Sequence, residues 1–147
     1  MKTENVGTLV TQAEKVPQFY LYMNLEKGQF NMVEIHEKTP EEFFETYNGQ
    51  IDLIVTHEDP DIEKIVNKNM KPYMGMRFVT DYATVEDIAD FINYALPYGG
   101  TVCDPAAGSG IVAIAAMRCG VGFVGAENST ENIAKIRNAV RLKNERR

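Results

Sequence analysis

The stretch TVCDPAAGSG, residues 101–110, joins a short apolar run to a glycine-rich turn. TVCD is typical of a buried strand, and the apolar segment GIVAIAAMRCG that follows predicts a helix. Asp104 would then lie at the carboxyl end of the strand, and the helix would begin at Gly108, Ser109 and Gly110. Glycines there let a ligand approach the backbone, and the first helical turn has free N–H donors. The stretch therefore predicts a binding site between a strand and a helix.

A second strand, GFVGAE, follows this helix and ends at Glu127. In a strand–helix–strand unit, an acidic residue about 20 positions after the first strand accepts hydrogen bonds from ribose hydroxyls. The spacing G-S-G differs from the GxGxxG of dinucleotide sites, which weakens that interpretation. The residues alone thus predict a pocket for an adenosine-bearing cofactor, and the structural alternative is that the glycines only permit tight strand–helix packing.

Strand and helix patterns alternate along the rest of the chain. FYLYMNLEKGQFNMVEI predicts a hairpin with Gly28 in its turn, and TPEEFFETYNG and TVEDIADFINYALP each begin with a capping box. KPYMGMRFVTDYA has no clear period and predicts a loop. The predicted strands lie at 31–35, 51–56, 101–104 and 122–126, with one more at 19–25 on the edge. This pattern predicts an α/β fold with a small, doubly wound, mostly parallel sheet and an N-terminal hairpin at one edge.

Length and composition favour one soluble domain. The chain has 147 residues, of which 44% are hydrophobic and 24% charged. Residues 1–16 are polar and aperiodic and predict a flexible arm, and residues 17–147 predict a single domain. Cys103 and Cys119 lie in apolar stretches without the paired spacing of a metal site, so we expect reduced core cysteines and no metal. No apolar stretch is long enough for a membrane span, which predicts a cytoplasmic protein.

Charge is distributed unevenly. The net charge is −6, yet the C-terminal segment KIRNAVRLKNERR is strongly basic. This segment permits contact with DNA phosphates, whereas the acidic remainder opposes it. Basic residues in a last helical turn also complement the macrodipole of their own helix, which is the structural alternative.

Residues 84–140 carry a family resemblance. VCDPAAGSG and the later segment GVGFVGAENSTENIAKIRNAV resemble the DPFAGSG motif and the acidic strand of DNA amino-methyltransferases. Those enzymes use S-adenosylmethionine (SAM) to methylate adenine N6 or cytosine N4. The resemblance implies a truncated Rossmann-like methyltransferase fold with SAM as cofactor. It also implies that Glu127 binds the ribose of SAM and that Asn128 lies beside the adenine. The methionine end would be lined by Asp104, Pro105, Ala106, Gly108, Ser109 and Gly110. Ala106 and Ile111 depart from the phenylalanine and threonine that are common in the family.

The run IDLIVT, residues 51–56, resembles the strand that precedes the catalytic DPPY loop in permuted members of the family. In those enzymes the loop accepts hydrogen bonds from the target amino group, and its aromatic ring stacks on the flipped base. Here HEDPD follows instead, so the candidate catalytic residues are His57, Glu58, Asp59 and Pro60, without a stacking ring. Asp59 and Pro60 also suit a plain helix start. The resemblance therefore implies a SAM-binding protein with weak or no methyl transfer.

Two other functions remain open at this point. One is an active minimal DNA amino-methyltransferase, and the other is a non-catalytic protein-interaction scaffold. Truncated copies of either kind would be unsurprising in phage or mobile-element genomes. An exposed sheet edge would need a cover, so we also expect a homodimer or a partner subunit. His36, close to the implied adenine position, is expected to be a surface or structural residue.

Overall fold

The computed structural model describes residues 16–24 and 28–145. Residues 1–15 of the predicted arm, residues 25–27 of the hairpin turn and residues 146–147 lie outside the described residues.

One sheet and five helices make up the described part of the chain. The strands are β1 (Gln18–Asn24), β2 (Gln29–His36), β3 (Leu53–His57), β4 (Gly75–Val79), β5 (Thr101–Asp104) and β6 (Gly122–Ala126). The helices are α1 (Pro40–Thr46), α2 (Pro60–Asn69), α3 (Val85–Ala95), α4 (Ile111–Cys119) and α5 (Thr130–Glu145). The two capping boxes predicted from sequence begin α1 at Thr39 and α3 at Thr84.

The sheet has the order β1-β2-β6-β5-β3-β4. β1 and β2 form an antiparallel hairpin, and the other neighbouring strands are parallel. The chain leaves β3 through α2 toward one edge and leaves β5 through α4 toward the other. The strands β3 and β5 are therefore neighbours at a topological switch point, and a crevice opens at their carboxyl ends, where ligands of open α/β sheets bind. This confirms the predicted fold class.

Apolar side chains pack on both faces of the sheet. One cluster includes Val55, Ile92, Val112 and Ile136 and joins the sheet to α3, α4 and α5. On the other face, a smaller cluster around Phe43 packs the sheet against α1 and α2. The sheet is thus held between two helical layers, which fixes the strand ends relative to one another.

The prediction of a loop at 71–83 is wrong over Gly75–Val79, which forms β4. Three of its five residues are exposed and one is buried, because β4 is an edge strand that pairs with β3 alone. An edge strand covered on so little of its surface shows no regular apolar period. The sheet consequently has six strands, one more than predicted.

Smaller predictions are also resolved. Cys103 and Cys119 are buried and form no disulfide among the described residues, as expected of reduced core cysteines. Ser129 caps α5, since its Oγ accepts the Asn132 N–H at 3.2 Å. None of the described helices is both long and apolar enough to cross a bilayer.

Candidate functional site

The glycine-rich turn runs from the end of β5 to the start of α4 and is fixed to the neighbouring strand. The Ala107 N–H donates to the Ala126 carbonyl at 2.9 Å, and the Gly110 N–H donates to the Ala107 carbonyl at 3.0 Å. Gly108 and Gly110 have φ values of 58° and 101°, in the left-handed region that favours glycine. The sequence therefore specifies the shape of this turn through its glycines.

The two glycines nevertheless serve different purposes. A Cβ at Gly110 would lie 2.7 Å from Cγ1 of Ile136, so this glycine lets α5 pack closely against the turn. A Cβ at Gly108 would meet nothing within 4 Å. Tight packing explains Gly110, whereas the open space at Gly108 suits the approach of a ligand.

Asp104 lies beneath this turn at the carboxyl end of β5 and is fully buried. Its Oδ1 accepts the Ala106 N–H at 3.0 Å, but its Oδ2 has no hydrogen-bond partner. Burial raises the pKa of Asp104 from 3.8 to about 6, although Thr56, the Ala106 N–H and His57 each lower it in part. A buried carboxylate oxygen without a partner requires an explanation, and a bound group with a donor or a positive charge is one.

Thr56 supplies a second unpartnered atom next to Asp104. It lies at the end of β3, on the other side of the crevice, with only 1% of its surface exposed. The Thr56 hydroxyl is close enough to lower the pKa of Asp104, yet its Oγ1 makes no hydrogen bond of normal geometry. Two neighbouring buried side chains, one from each strand, thus interact at the switch point without a hydrogen bond of normal geometry. Thr56 was not predicted as a site residue from sequence, although its hydroxyl at the end of the apolar run LIVT was a signal.

Glu127 follows β6 and connects the turn to α5. Its Oε1 accepts the Gly108 N–H at 2.7 Å, and its Oε2 accepts the Ser129 N–H at 2.9 Å and Nδ2 of Asn132 at 3.3 Å. A carboxylate has about four acceptor positions, so it can also accept hydrogen bonds from a ligand. Glu127 therefore shapes the turn itself, in addition to the ribose contact that the resemblance implies.

The HEDPD segment divides between the crevice and a helix. His57 is half-buried at the end of β3 and acts electrostatically on Asp104. Glu58 is exposed, and its N–H donates to the Val79 carbonyl at 2.9 Å. Asp59 caps α2, since its Oδ1 accepts the N–H groups of the second and third residues after it at 2.9 and 3.2 Å, and Pro60 is the first helical residue. The structural alternative of a helix start thus describes this pair.

The remaining predicted site residues differ in exposure. Ser109 and Asn128 are exposed, Ala106 is half-buried, and Pro105 is buried.

His36 is structural rather than exposed: its Nε2 lies 2.6 Å from Oε2 of Glu34, within a buried aromatic cluster. The crevice therefore brings together Asp104, Thr56, Gly108 and Glu127, with His57 nearby. Across the part of the chain that the structure describes, no three His, Cys, Asp or Glu side chains are arranged to hold a metal ion.

Comparison with known proteins gives a structural likeness only. No protein-family model and no curated protein matches the chain. A crystal structure of M1.HpyAVI is similar to it with a TM-score of 0.56 and 12% identity, over 75% of this chain and 99% of that chain. A crystal structure of an M1.HpyAVI–SAM complex is similar with a TM-score of 0.54 and 11% identity, over 73% and 99%. The chain therefore has a methyltransferase-like fold.

Proposed function

We propose that this protein binds SAM in the crevice beneath the glycine turn. The observation that carries the proposal is the fully buried Asp104 carboxylate, whose Oδ2 lacks a hydrogen bond of normal geometry, next to the open space at Gly108. A positively charged methionine end suits a buried carboxylate that is otherwise costly to ionise. Because M1.HpyAVI, a protein of similar fold, has been crystallised with SAM, the fold is compatible with that cofactor.

In this proposal each element of the crevice has a separate task. Asp104 pairs with the positive charge of the methionine end, and the turn from Pro105 to Gly110 lines it. Glu127 accepts hydrogen bonds from the ribose, and Asn128 lies beside the adenine. When bound, SAM supplies an electrophilic methyl group on a positively charged sulfur.

We further propose that methyl transfer by the chain alone is weak or absent. The Asp59 carboxylate is already used as a helix cap, and neither Pro60 nor the residues directly after it supply a stacking ring. His57 and Glu58 remain the candidate catalytic side chains at the crevice. If they suffice, the protein is a minimal DNA amino-methyltransferase, which is the alternative.

A groove between β1 and α5 supports DNA as a partner. It has a volume of about 720 Å³ and is lined in part by Arg137, Arg141, Phe19 and Tyr20. Arginines one helical turn apart together with aromatic rings suit a nucleic-acid strand, because they offer both charge and stacking. A cytoplasmic location, which we also propose, agrees with two buried cysteines that form no disulfide among the described residues.

A scaffold function is the second candidate, and the hairpin favours it. Phe19, Leu21, Phe30 and Met32 on β1 and β2 are between 41% and 60% exposed. Neighbouring apolar side chains of this size mark an interaction surface, and β1 is also the edge strand of the sheet among the residues that the structure describes. We propose that a second copy or a partner subunit covers this face. Sedimentation equilibrium showing a monomer at all concentrations would remove the homodimer.

Calorimetric titration with SAM and with its demethylated product tests the main proposal. We expect saturable binding of both, lost in Asp104→Ala and in Glu127→Ala. Glu45→Ala, at an exposed position on α1, is the matched control and should bind like the parent. Binding that is unchanged in either crevice variant would overturn the site.

The two remaining functions are separated by activity. With binding established, transfer of a labelled methyl group to DNA would favour the active minimal enzyme. Absence of SAM binding at millimolar ligand, with the fold intact, would favour the scaffold.

A further inference from the structure

Asp104 lies at the base of the crevice in surroundings that favour its neutral form. The side chain is fully buried, and its Oδ2 has no hydrogen bond of normal geometry. The nearby donors are the Ala106 N–H, at 3.0 Å from Oδ1, and the Thr56 hydroxyl, and they leave acceptor positions of the carboxylate unused. Burial disfavours the charge on such a group. Either a proton or a cationic ligand can therefore neutralise Asp104.

The groups that act on Asp104 come from its own strand and from the two adjacent ones. Burial raises the pKa of Asp104 from 3.8 to about 6, against Thr56 and His57 on β3, which lower it, while Glu127 after β6 raises it further. Burial also holds the pKa of the Cys103 thiol well above its usual range, so this neighbour on β5 stays neutral. The first turn of α4 has no acidic or basic side chain. His57 is thus the group that brings a positive charge toward Asp104 in this set.

The second carboxylate of the crevice, Glu127, differs from Asp104 in its hydrogen bonds. It accepts the Gly108 N–H at 2.7 Å, the Ser129 N–H at 2.9 Å and Nδ2 of Asn132 at 3.3 Å. These bonds satisfy Glu127 within the protein itself. Of the two carboxylates, Asp104 is therefore the one on which the positive charge of a ligand has the larger effect.

We propose that a cationic ligand binds in the crevice by replacing a proton on Asp104, so that ligand affinity is regulated by pH. The inference rests on the proposed function, because it takes SAM as the ligand. Where Asp104 is protonated in the free protein, binding releases this proton to the buffer. Where it is already ionised, binding releases none. One proton released per ligand changes the affinity about tenfold per pH unit.

SAM and adenosine are the probes, because they share the nucleoside and SAM alone carries positive charge at a methionine end. Affinities are measured by calorimetry from about pH 5 to about pH 7.5. Two buffers of different ionisation enthalpy are used at each pH, so that the difference in heat counts the protons released. We expect SAM to bind about tenfold more weakly at the lower pH and to release about one proton there. Adenosine should bind equally at both ends of the range.

His57→Gln separates Asp104 from the adjacent histidine as the source of the effect, since a protonated His57 would also oppose a cationic ligand. Because His57 lowers the pKa of Asp104, its removal should move the fall in SAM affinity to higher pH. Thr56→Val should move it in the same direction, because the hydroxyl also lowers this pKa. Asp90→Asn, at an exposed position on α3, is the matched control and should keep the pH dependence of the parent.

The outcomes separate this inference from the proposed function. SAM binding that is equally tight across the range, or that releases no proton at the lower pH, overturns the proton exchange and leaves the proposed function standing. Loss of the pH dependence in His57→Gln, or an equal fall in adenosine affinity, also overturns the exchange alone. Absence of SAM binding throughout the range overturns both.

Discussion

Replacing Asp104 with asparagine should stabilise the fold near neutral pH and at the same time remove ligand binding. Asparagine has nearly the same shape, and its Oδ1 can still accept the Ala106 N–H that Asp104 accepts at 3.0 Å. It differs in carrying no charge. Asp104 is fully buried, so its ionisation in the folded state is unfavourable.

The size of the effect follows from the pKa of Asp104, which burial raises from 3.8 to about 6. A tenfold change in proton affinity between the unfolded and folded states is worth about 1.4 kcal/mol, so keeping Asp104 charged in the folded protein costs about 3 kcal/mol. Between pH 3.8 and 6 the folded protein binds more protons than the unfolded chain. The contribution of Asp104 to stability is therefore complete below about pH 3, falls as the pH rises through 3.8 to about 6, and stays low above it.

The assay is urea unfolding at pH 4 and pH 8, followed by circular dichroism because the chain has no tryptophan. From pH 4 to pH 8, the stability of Asp104→Asn relative to the parent should rise by about 2.5 kcal/mol, because a small part of the effect is already present at pH 4. Any fixed cost of the new amide cancels in this difference. Asp81→Asn, at an exposed position, should give no such change. A relative stability that stays constant or falls between the two pH values would show that burial does not raise the pKa of Asp104 in the folded protein.

Three further predictions concern folding and binding. Gly110→Ala should destabilise the fold by more than about 2 kcal/mol in urea unfolding, because Gly110 has a positive φ and a side chain of α5 lies close to it. Gly108→Ala should cost only about 1 kcal/mol in urea unfolding, because only the positive φ opposes it, and yet should weaken SAM binding in calorimetry. Tyr22→Phe should cost about 1–2 kcal/mol in urea unfolding, since it removes a buried 2.7 Å hydrogen bond to a carbonyl. Asp59→Ala should cost about 1 kcal/mol and Asp59→Asn much less, with SAM binding unchanged in both, if this residue is a cap.

The fold could be read from sequence wherever a signal was local. The capping boxes at Thr39 and Thr84 depend on side chains three residues apart, and the turn at Gly108 depends on a backbone conformation that few other residues adopt. The strand β4 could not be predicted in this way. Its pairing with β3 is set by the tertiary fold, and its largely exposed surface leaves no period in the sequence.

The candidate site was predictable in its position but not in its chemistry. Asp104 ends its strand and Glu127 directly follows the next one, as the pattern requires, so their positions at the turn could be anticipated. The unpartnered state of Asp104 and the contribution of Thr56 depend on how β3 and β5 lie side by side. Sequence spacing also could not show that Glu127 binds the turn itself, because that contact joins residues 19 positions apart.

SAM binding beneath the glycine turn is tested most directly by an amide NMR titration of the parent protein and Asp104→Asn with SAM. We expect saturable shifts in the parent, concentrated in residues 104–110 and 127–132, and at most weak, non-saturating shifts in the variant. Shifts of equal size and saturation in both proteins, or an absence of shifts in the parent at millimolar SAM, would contradict it.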